Sequence, residues 1–256
     1  MVEIIRIDKG IIPKLERSVA CIGYFDGFHR GHQKLIEKTV AEAKLNDLKA
    51  ALICFLPDPI KVISKTKVSH LFPDFYRLKL AEKFGIEKLI VFSFTEEFMN
   101  MPADGFISED LNRLNIEKLI CGYDFSFGQY GKGNEELLKE KGNFETIVIH
   151  EETYLGSKIS STRIKETIVS GDFRLSEELL GFPYHFICEV RECRENGEKW
   201  LVKAKLVDPE CLMLKQGYYS DLLKVEDECF HVISEKYYET GSLIYINEKG
   251  IDEGTF

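Results

Sequence analysis

The sequence predicts an α/β protein with a doubly wound parallel sheet, because strand-like and helix-like segments alternate along its first two thirds. Five short apolar runs are rich in branched residues, which is typical of strands buried on both faces. Segments with apolar residues at helical spacing lie between them. This alternation gives an open, Rossmann-like sheet with helices on both faces. The five strands are predicted over 19–23, 50–55, 88–94, 117–122 and 145–149.

The segments between and after these strands have helical periodicity. Gly85, Gly171 and Gly181 each follow such a segment, and glycine is common just past a helix end. Pro102 stands near the start of another segment, where its fixed φ suits a first helical turn. Helices are therefore predicted over 32–46, 75–84, 102–114 and 160–170, with a further short helix that ends before Gly181.

Beyond Pro183 the hydrophobic pattern changes to period two. Apolar residues alternate with lysines over 200–206, and 242–247 is a second extended run. Such alternation is typical of antiparallel strands. We therefore expect a boundary near Tyr184, with a main domain over 1–183 and a small C-terminal antiparallel β domain over 184–256.

Size and charge limit the classes of function. With 256 residues, of which 44% are hydrophobic, the chain is long enough to bury a substantial core. Its formal net charge of -9 repels polyphosphate chains, so no nucleic acid partner is expected, although a local pocket can still bind a small phosphorylated ligand. The sequence shows no signal peptide and no apolar stretch of membrane-spanning length. We expect a soluble cytoplasmic protein with no membrane partner.

Cysteine usage agrees with a reducing compartment. Of seven cysteines, Cys21, Cys54 and Cys121 lie in apolar runs predicted to be buried strands, which indicates free thiols packed in the core. Cys188 and Cys193 are the only close pair. Because no histidine or second pair completes a zinc pattern there, a metal site at that pair is disfavoured.

The strongest chemical signal is the turn after the first predicted strand, Gly-Tyr-Phe-Asp-Gly-Phe-His-Arg-Gly-His over 23–32. In an open parallel sheet, this turn brings backbone amides and a positive helix end toward phosphate. Gly23, Gly27 and Gly31 let the backbone approach a ligand, and two imidazoles at the helix entrance can donate to phosphate oxygens. The alternative is that His29 and His32 are surface residues on an ordinary glycine turn.

A second basic helix entrance lies at 160–163. Ser160, Ser161 and Thr162 offer hydroxyls and backbone donors, and Arg163 offers a planar fork for phosphate. Taken alone, this serine- and threonine-rich run is equally a good N-terminal helix cap. Its pairing with the histidine turn favours a phosphate site.

Two further loops combine aromatic and turn residues. Phe-Leu-Pro-Asp-Pro over 55–59 follows the second predicted strand, and Gly-Tyr-Asp-Phe-Ser-Phe-Gly over 122–128 follows the fourth, so both are expected at the sheet edge that carries the histidine turn. Aromatic side chains there suit a flat heteroaromatic ring, and Asp124 suits a magnesium ion or a ligand hydroxyl. The alternative is that Phe125 and Phe127 only seal the end of the sheet.

These segments resemble the adenylyltransferase module of the bacterial bifunctional riboflavin kinase/FAD synthetase family. The resemblance runs from about Ser18 to Tyr184 and rests on four motifs in matching order: the His-x-Gly-His turn, the loops at 55–59 and 122–128, and Ser-Ser-Thr-Arg-Ile at 160–164. It implies a Rossmann-like nucleotidyltransferase fold of the His-x-Gly-His type. It further implies that the FMN phosphate attacks the α-phosphorus of Mg-ATP, giving FAD and pyrophosphate.

The resemblance also assigns roles to individual residues. It implies that His29, His32 and Arg163 act in catalysis, and that ATP and FMN bind as substrates together with Mg²⁺, with no metal ligand assigned. The implied ATP-binding residues are Gly23, Phe25, Asp26, Gly27, Gly31, Ser160, Ser161 and Thr162. The implied FMN-binding residues are Phe55, Pro57, Pro59, Gly122, Asp124, Phe125, Phe127 and Gly128.

Two positions of the chain depart from the family pattern. The family usually has Asn where this chain has Tyr24, and Arg near Tyr130; Lys132 is a candidate for the missing charge, although lysine is a point charge and not a bidentate fork. A second hypothesis is therefore an adenylyltransferase for another phosphorylated cofactor precursor. A third is a non-catalytic flavin or nucleotide sensor, which the intact phosphate-binding motifs disfavour.

The region after Tyr184 departs further from the family. The family's kinase module resembles a small β-barrel with a Gly-x-Pro-Thr-Ala-Asn segment, which this shorter region lacks. Gly-Tyr-Tyr at 217–219 resembles a later barrel motif and indicates a remnant. Glu210, Glu226 and Glu228 offer carboxylates without a phosphate cradle. We expect no riboflavin kinase activity, and we regard these strands as a candidate surface for homo-oligomers.

Overall fold

The computed structural model describes residues 2–8, 11–64, 69–196, 199–212, 221–225, 228–232, 237–239 and 242–248. Six strands form one parallel sheet: β1 Glu3–Ile7, β2 Ser18–Ile22, β3 Lys49–Leu56, β4 Lys88–Ser93, β5 Ile116–Gly122 and β6 Glu145–Ile149. Their order across the sheet is β1-β4-β3-β2-β5-β6. The predicted α/β, Rossmann-like fold class is therefore confirmed, and so are all five predicted strands.

The edge strand β1 was not predicted. Only Ile5 and Ile7 of this strand are buried, whereas Glu3, Ile4 and Arg6 are exposed. An edge strand that buries so few residues has no continuous apolar run, and this charged N-terminal segment therefore gave no strand signal.

Helices cover both faces of the sheet. The predicted helix over 102–114 is a helical segment with three hydrogen-bonding patterns: an α-helical turn, a π-helical stretch over Phe106–Asp110 and a 3-10 turn over Leu111–Arg113. The left-handed glycines Gly171 and Gly181 end two helices as predicted. The α-helices are α1 Arg30–Leu45, α2 Pro59–Ser64, α3 Asp74–Lys83, α4 Glu96–Met99, α5 Ala103–Gly105, α6 Glu135–Lys141, α7 Ser161–Ser170 and α8 Phe173–Leu180.

The core consists of two apolar layers, one on each face of the sheet. Val19 and Cys21 of β2 pack in the layer formed with α1, α3, α7 and α8. Ala20 and Ile22 of the same strand face the opposite layer, which contains the aromatic residues around Phe106. Successive residues of a strand point to opposite faces, so a sheet covered on both sides needs the near-continuous apolar runs seen in the sequence.

Four described cysteines are free and buried: Cys21, Cys54, Cys121 and Cys211. The predicted core thiols are thus confirmed. Burial raises the pKa of Cys21 to about 12, which keeps its thiol protonated and unreactive. The side chains of Cys188 and Cys193 lie outside the described residues, so the disfavoured zinc site there stays a prediction.

The C-terminal strands pair antiparallel, as predicted for 200–206 and 242–247. Gly-Tyr-Tyr at 217–219 and Glu226 lie outside the described residues. No helix within the described residues is long and apolar enough to cross a bilayer. The strands are β9 Cys188–Asn196, β10 Lys199–Leu206, β13 Tyr237–Glu239 and β14 Ser242–Glu248 in one sheet, and β11 Asp221–Val225 with β12 Glu228–Val232 in a two-stranded sheet.

The chain returns to the main core after β10. Leu206 and Cys211 are buried, and Cys211 forms a parallel bridge with His70 of the connection between α2 and α3. The backbone N–H of Leu212 donates to the carbonyl oxygen of His70 at 2.7 Å. The proposed domain boundary near Tyr184 stays a prediction, and residues beyond it contact the main sheet domain.

Candidate active site

A cavity of about 970 Å³ opens at the carboxyl ends of the parallel strands. Its lining comes from the segments that follow β2, β3, β4, β5 and β6. The chain runs from β2 to β3 on one side, whereas β5 lies on the other side of β2, so the strand order reverses between β2 and β5. Open α/β sheets bind ligands at such a switch point.

A tight buried turn shapes one end of the cavity. Phe25, Gly27 and Phe28 have φ values of 58°, 83° and 48°, so three residues of the turn lie in the left-handed region. Both phenylalanine side chains are buried, and this packing holds a conformation that such residues rarely adopt. A Cβ on Gly27 would overlap Leu71, so only glycine fits there. The turn delivers His29 to the N-terminus of α1.

The two predicted imidazoles lie together at this end. The His29 and His32 rings stack with centroids 3.7 Å apart and planes 18° apart. The Nδ1 atom of His29 accepts from the backbone N–H of His32 at 3.4 Å, so the His29 proton is on Nε2. Burial lowers the pKa of His29 to about 4 and that of His32 well below its usual value. Both rings are therefore neutral N–H donors near pH 7.

The low pKa of His29 predicts a loss of stability in acid. The unfolded chain binds a proton at this imidazole below about pH 6.5, whereas the folded chain does so only near pH 4, so stability falls as the pH drops through this window. The slope from this group approaches about 1.4 kcal/mol per pH unit. Urea unfolding at several pH values should show a steeper dependence for the parent than for His29→Asn, which keeps a good helix-cap residue. Equal slopes in both chains would contradict the assignment.

The second helix entrance meets the first. Ser160 caps α7 by accepting from the backbone N–H of Arg163, and the hydroxyl of Ser161 donates to the carbonyl oxygen of Asp26 at 2.8 Å. Ser160, Ser161 and Thr162 all line the cavity. The N-termini of α1 and α7 thus converge on one end of the cavity, called the phosphate end below. Two positive helix ends at one place suit an anionic ligand.

Three predicted phosphate-site residues lie outside the cavity lining. Arg163 donates through one guanidinium nitrogen to the carbonyl oxygens of Tyr154, Ser157 and Lys158 at 3.1, 2.8 and 3.2 Å. Asp26, only 3% exposed, accepts from the backbone N–H of Leu71 and pairs with a lysine of α7. Neither Arg163 nor Asp26 nor Gly27 lines the cavity. Their predicted contacts with ATP stay predictions.

Lys158 is a site residue that the sequence analysis missed. Among the lining residues that the structure describes, it is the only lysine or arginine. Its ammonium group pairs with Asp124 and lies 5.1 Å from the centroid of the Tyr123 ring. Lys158 belongs to a short hairpin of β7 Thr153–Tyr154 and β8 Ser157–Lys158, just before α7. Because His29 and His32 are neutral near pH 7, neither supplies a positive charge. Among the described lining residues, Lys158 is the side chain with a permanent positive charge.

The opposite end of the cavity is apolar and aromatic. Phe125 and Phe127 stack with centroids 5.5 Å apart, and Phe127 also packs against Phe106. Phe55 lies within β3 and is buried among neighbouring phenylalanines. The cavity also has lining residues here that were not predicted: Phe94, Phe98, Met99 and Met101. Of the predicted FMN-binding residues, all but Pro57 line the cavity: Phe55, Pro59, Gly122, Asp124, Phe125, Phe127 and Gly128.

Carboxylates on the cavity wall are already paired. Asp124 pairs with Lys158, Glu152 pairs with Lys34, and Glu151 accepts from the Tyr123 hydroxyl at 3.1 Å. Within the described ranges, no group of three histidine, cysteine or acidic residues is placed to hold a metal ion. The predicted contact of Asp124 with magnesium or a ligand hydroxyl stays a prediction.

The two positions that depart from the family pattern both line the cavity. Tyr130 is 84% exposed, and the Lys132 ammonium lies 6.0 Å from its ring centroid. Tyr24 is half-buried, and burial raises the pKa of its phenol, which therefore stays protonated. Lys132 itself is not among the described lining residues.

A glycine-rich turn, two convergent helix N-termini and a cavity at the switch point place the molecule among the open α/β proteins with a ligand site suited to anions. Comparison with protein families narrows this class: the FAD synthetase family model matches residues 11–163. The chain belongs to the FAD synthetase family.

Known relatives agree with this placement. A bifunctional riboflavin kinase/FMN adenylyltransferase of Listeria monocytogenes is 32% identical over 171 residues, which cover 65% of this chain and 54% of the relative. An FAD synthetase of the same organism is 30% identical over 186 residues, covering 71% of this chain and 74% of that protein. The bifunctional enzyme of Bacillus subtilis is 34% identical, and 54% of its length is covered. The chain thus matches about half the length of the bifunctional relatives.

The fold also resembles a solved structure along nearly the whole chain. The crystal structure titled macrolide-efflux protein from Streptococcus pneumoniae has a TM-score of 0.84 and 24% identity. The alignment covers 98% of this chain and 95% of that one. At this identity the likeness shows the shared fold.

Proposed function

We propose that the protein is an FMN adenylyltransferase that transfers AMP from Mg-ATP to FMN, giving FAD and pyrophosphate. The observation that carries the proposal is the two-ended cavity, in which a phosphate end with stacked imidazoles faces an apolar aromatic end. The nucleotide phosphates suit the first end and the flavin ring suits the second. The family of the chain and the names of its relatives support the same substrates.

The proposal requires both substrates to share the cavity. Its volume of about 970 Å³ lies near the upper end of the range for sites that bury one drug-sized ligand. Bringing both substrates into one cavity converts a bimolecular step into an effectively unimolecular one, which is the main contribution a protein makes when no covalent intermediate forms.

In the proposed reaction an FMN phosphate oxygen attacks the α-phosphorus of ATP. A new phosphorus–oxygen bond forms, the bond from the α-phosphorus to the oxygen that bridges to the β-phosphorus breaks, and its electron pair leaves with pyrophosphate. His29 and His32 donate neutral N–H groups to the phosphate oxygens, and the N-termini of α1 and α7 add backbone donors. Mg²⁺ enters as the counter-ion of the ATP substrate.

The predicted site residues enter the proposal in two groups. Gly23, Phe25, Gly31, Ser160, Ser161 and Thr162 line the cavity with the histidines, and we assign them to ATP. Asp26, Gly27 and Arg163 are assigned to shaping that end. The seven predicted FMN-binding residues that line the cavity are assigned to FMN. Pro57 is assigned to shaping the loop before Pro59.

Lys158 adds the charge that the phosphate end needs. The substrates bring several negative charges to an end of the cavity where His29 and His32 are neutral. We assign Lys158 to a substrate phosphate, and its partner Asp124 releases it when the phosphate arrives. An ammonium group is a suitable point-charge ligand for phosphate.

An alternative acceptor remains a second candidate because of Tyr24 and Tyr130. Both line the cavity at positions where the family usually has Asn and Arg. A different phosphorylated cofactor precursor is the acceptor in that case, and the adenylyl transfer is unchanged. We also propose a cytoplasmic location, which suits an enzyme that acts on such substrates. We further propose that residues 184–256 are a β domain without kinase activity that pairs with a second copy.

One assay tests the function. The purified chain is incubated with Mg-ATP and FMN, with a panel of other phosphorylated acceptors, and separately with riboflavin, and the products are identified by mass. FAD and pyrophosphate are expected from FMN, and riboflavin should give no FMN, because the sequence beyond Tyr184 lacks the family's Gly-x-Pro-Thr-Ala-Asn segment.

Each other outcome of this assay has a distinct meaning. Another adenylylated product without FAD would show that the acceptor is wrong. ATP binding without any product would favour the non-catalytic sensor. FMN formed from riboflavin would show that a kinase site exists in the C-terminal region.

A further inference from the structure

Tyr24 joins the two ends of the cavity. Its chain neighbours Gly23 and Phe25 line the cavity beside the histidine turn. Its hydroxyl points the other way, toward Asp58 at the start of α2, and the next residues of that helix, Pro59 and Ile60, line the apolar end. Tyr24 is therefore a lining residue whose neighbours and contacts belong to both ends of the cavity.

Three buried side chains surround this ring. The Tyr24 hydroxyl lies 3.0 Å from Nδ1 of His70, which in turn lies 3.4 Å from Oδ2 of Asp58. His70 is 4% exposed and Asp58 is 3% exposed. The guanidinium of Arg77 lies 4.7 Å from the centroid of the Tyr24 ring and donates to the Tyr24 carbonyl oxygen at 3.0 Å. A buried polar cluster of this kind specifies one orientation of the ring.

His70 is itself held by the returning C-terminal segment. Its backbone N–H donates to the carbonyl oxygen of Glu210 at 3.0 Å, and its carbonyl oxygen accepts from the backbone N–H of Leu212. The Tyr184 hydroxyl donates toward the carbonyl oxygens of Leu71 and Leu212, at 3.3 and 3.1 Å, and so links the same two segments. The strap His70–Leu71 therefore lies between the C-terminal segment and the cavity wall.

We propose that His70 is a positioning residue that fixes Tyr24 at the junction of the two substrates, and that the segment Glu210–Leu212 holds His70 in place. This inference rests on the proposed adenylyl transfer. His70 touches neither substrate in this arrangement. It acts on the reaction only through the orientation of Tyr24.

The physical reason is the sensitivity of group transfer to alignment. The attacking oxygen and the α-phosphorus come from different substrates, so the wall between them sets their approach. A misplacement of about 1 Å caused by a change away from the chemistry costs up to about a hundredfold in rate. Loss of the hydroxyl–imidazole contact should lower kcat, while the ATP contacts at the phosphate end, and with them the KM for ATP, remain.

A double-mutant cycle tests the coupling. Tyr24→Phe removes only the hydroxyl, and His70→Leu removes the imidazole; turnover is followed as pyrophosphate release with FMN or whichever acceptor reacts. Each single change is expected to lower kcat by about tenfold, with less than about a threefold change in the KM for ATP, and the double variant should be no worse than the worse single. His70→Asn, which restores an amide group near the Nδ1 position, should recover most of the rate.

A matched control separates positioning from stability. The Tyr76 hydroxyl makes the same kind of contact, 2.7 Å from Nε2 of His185, but neither residue lines the cavity. Tyr76→Phe should leave kcat unchanged. Additive effects of the two changes at Tyr24 and His70, or equal losses in kcat for Tyr76→Phe, would overturn the proposal.

The C-terminal part is tested by Tyr184→Phe in two backgrounds. The change should lower kcat in the parent and have no further effect in Tyr24→Phe, because both act through the same ring. An equal loss in both backgrounds would overturn the role of Glu210–Leu212. No pyrophosphate release by the parent with any acceptor would instead refute the proposed function, and this inference with it.

Discussion

His32→Ala is expected to lower kcat for adenylyl transfer by about a hundredfold or more and to change stability much less. The neutral imidazole is a preorganised N–H donor at the phosphate end, and loss of one such donor typically costs on the order of 10²–10³ in rate. The change leaves the helix cap intact, because the Nδ1 cap of α1 comes from His29 and the donated N–H is the backbone amide of residue 32. Steady-state kinetics and urea unfolding of the same preparation measure the two effects.

A second imidazole removal provides the control for His32→Ala. His185 contacts Tyr76 and does not line the cavity, so His185→Ala should keep the parent rate. An unchanged kcat in folded His32→Ala would show that this ring only packs against His29 and Phe25. A loss of rate that merely follows a loss of folded protein would lead to the same conclusion.

Local sequence was sufficient for the parts of the molecule that are contiguous in the chain. The buried strands show as apolar runs because each residue of such a strand is covered on one face or the other. The histidine turn shows because its glycines and imidazoles follow one strand and open one helix. The edge strand β1 gave no signal, since only two of its residues face the core.

The parts that tertiary contacts assemble could not be predicted in the same way. Tyr24, Asp58 and His70 lie far apart in sequence and meet only because the loops after β2 and β3 are neighbours. Arg163 was predicted from its place at a helix entrance. Side chains in a helix lean toward its N-terminus, and the guanidinium accordingly reaches back to the carbonyls of the preceding hairpin.

The role of Lys158 in the cavity lining could not be predicted from the sequence for the same reason. Lys158 is one lysine among many in a charged sequence, and nothing in its spacing distinguishes it. Its position follows from the hairpin that precedes α7, which Arg163 holds through three carbonyl groups. The residue predicted to bind phosphate thus supports the loop that presents the cation.

Lys158→Met is expected to weaken ATP or FMN binding by about 10- to 150-fold, because loss of a hydrogen bond to a charged group costs about 1.5–3 kcal/mol. Methionine keeps the length of the chain and removes the charge, whereas Lys158→Arg should retain most of the affinity. The parent affinity should also fall with added salt more steeply than that of Lys158→Met, since only the parent has this charge to screen.

Lys132→Met is the control. It removes an ammonium group from outside the described lining and should bind both substrates as the parent does. Calorimetric titration with each substrate measures these affinities, and Arg163→Ala is titrated in the same way. Parent-like affinity and salt dependence in Lys158→Met, together with weakened ATP binding in Arg163→Ala, would contradict the prediction. That result would show that Arg163 binds the phosphate and that Lys158 is only a surface partner of Asp124.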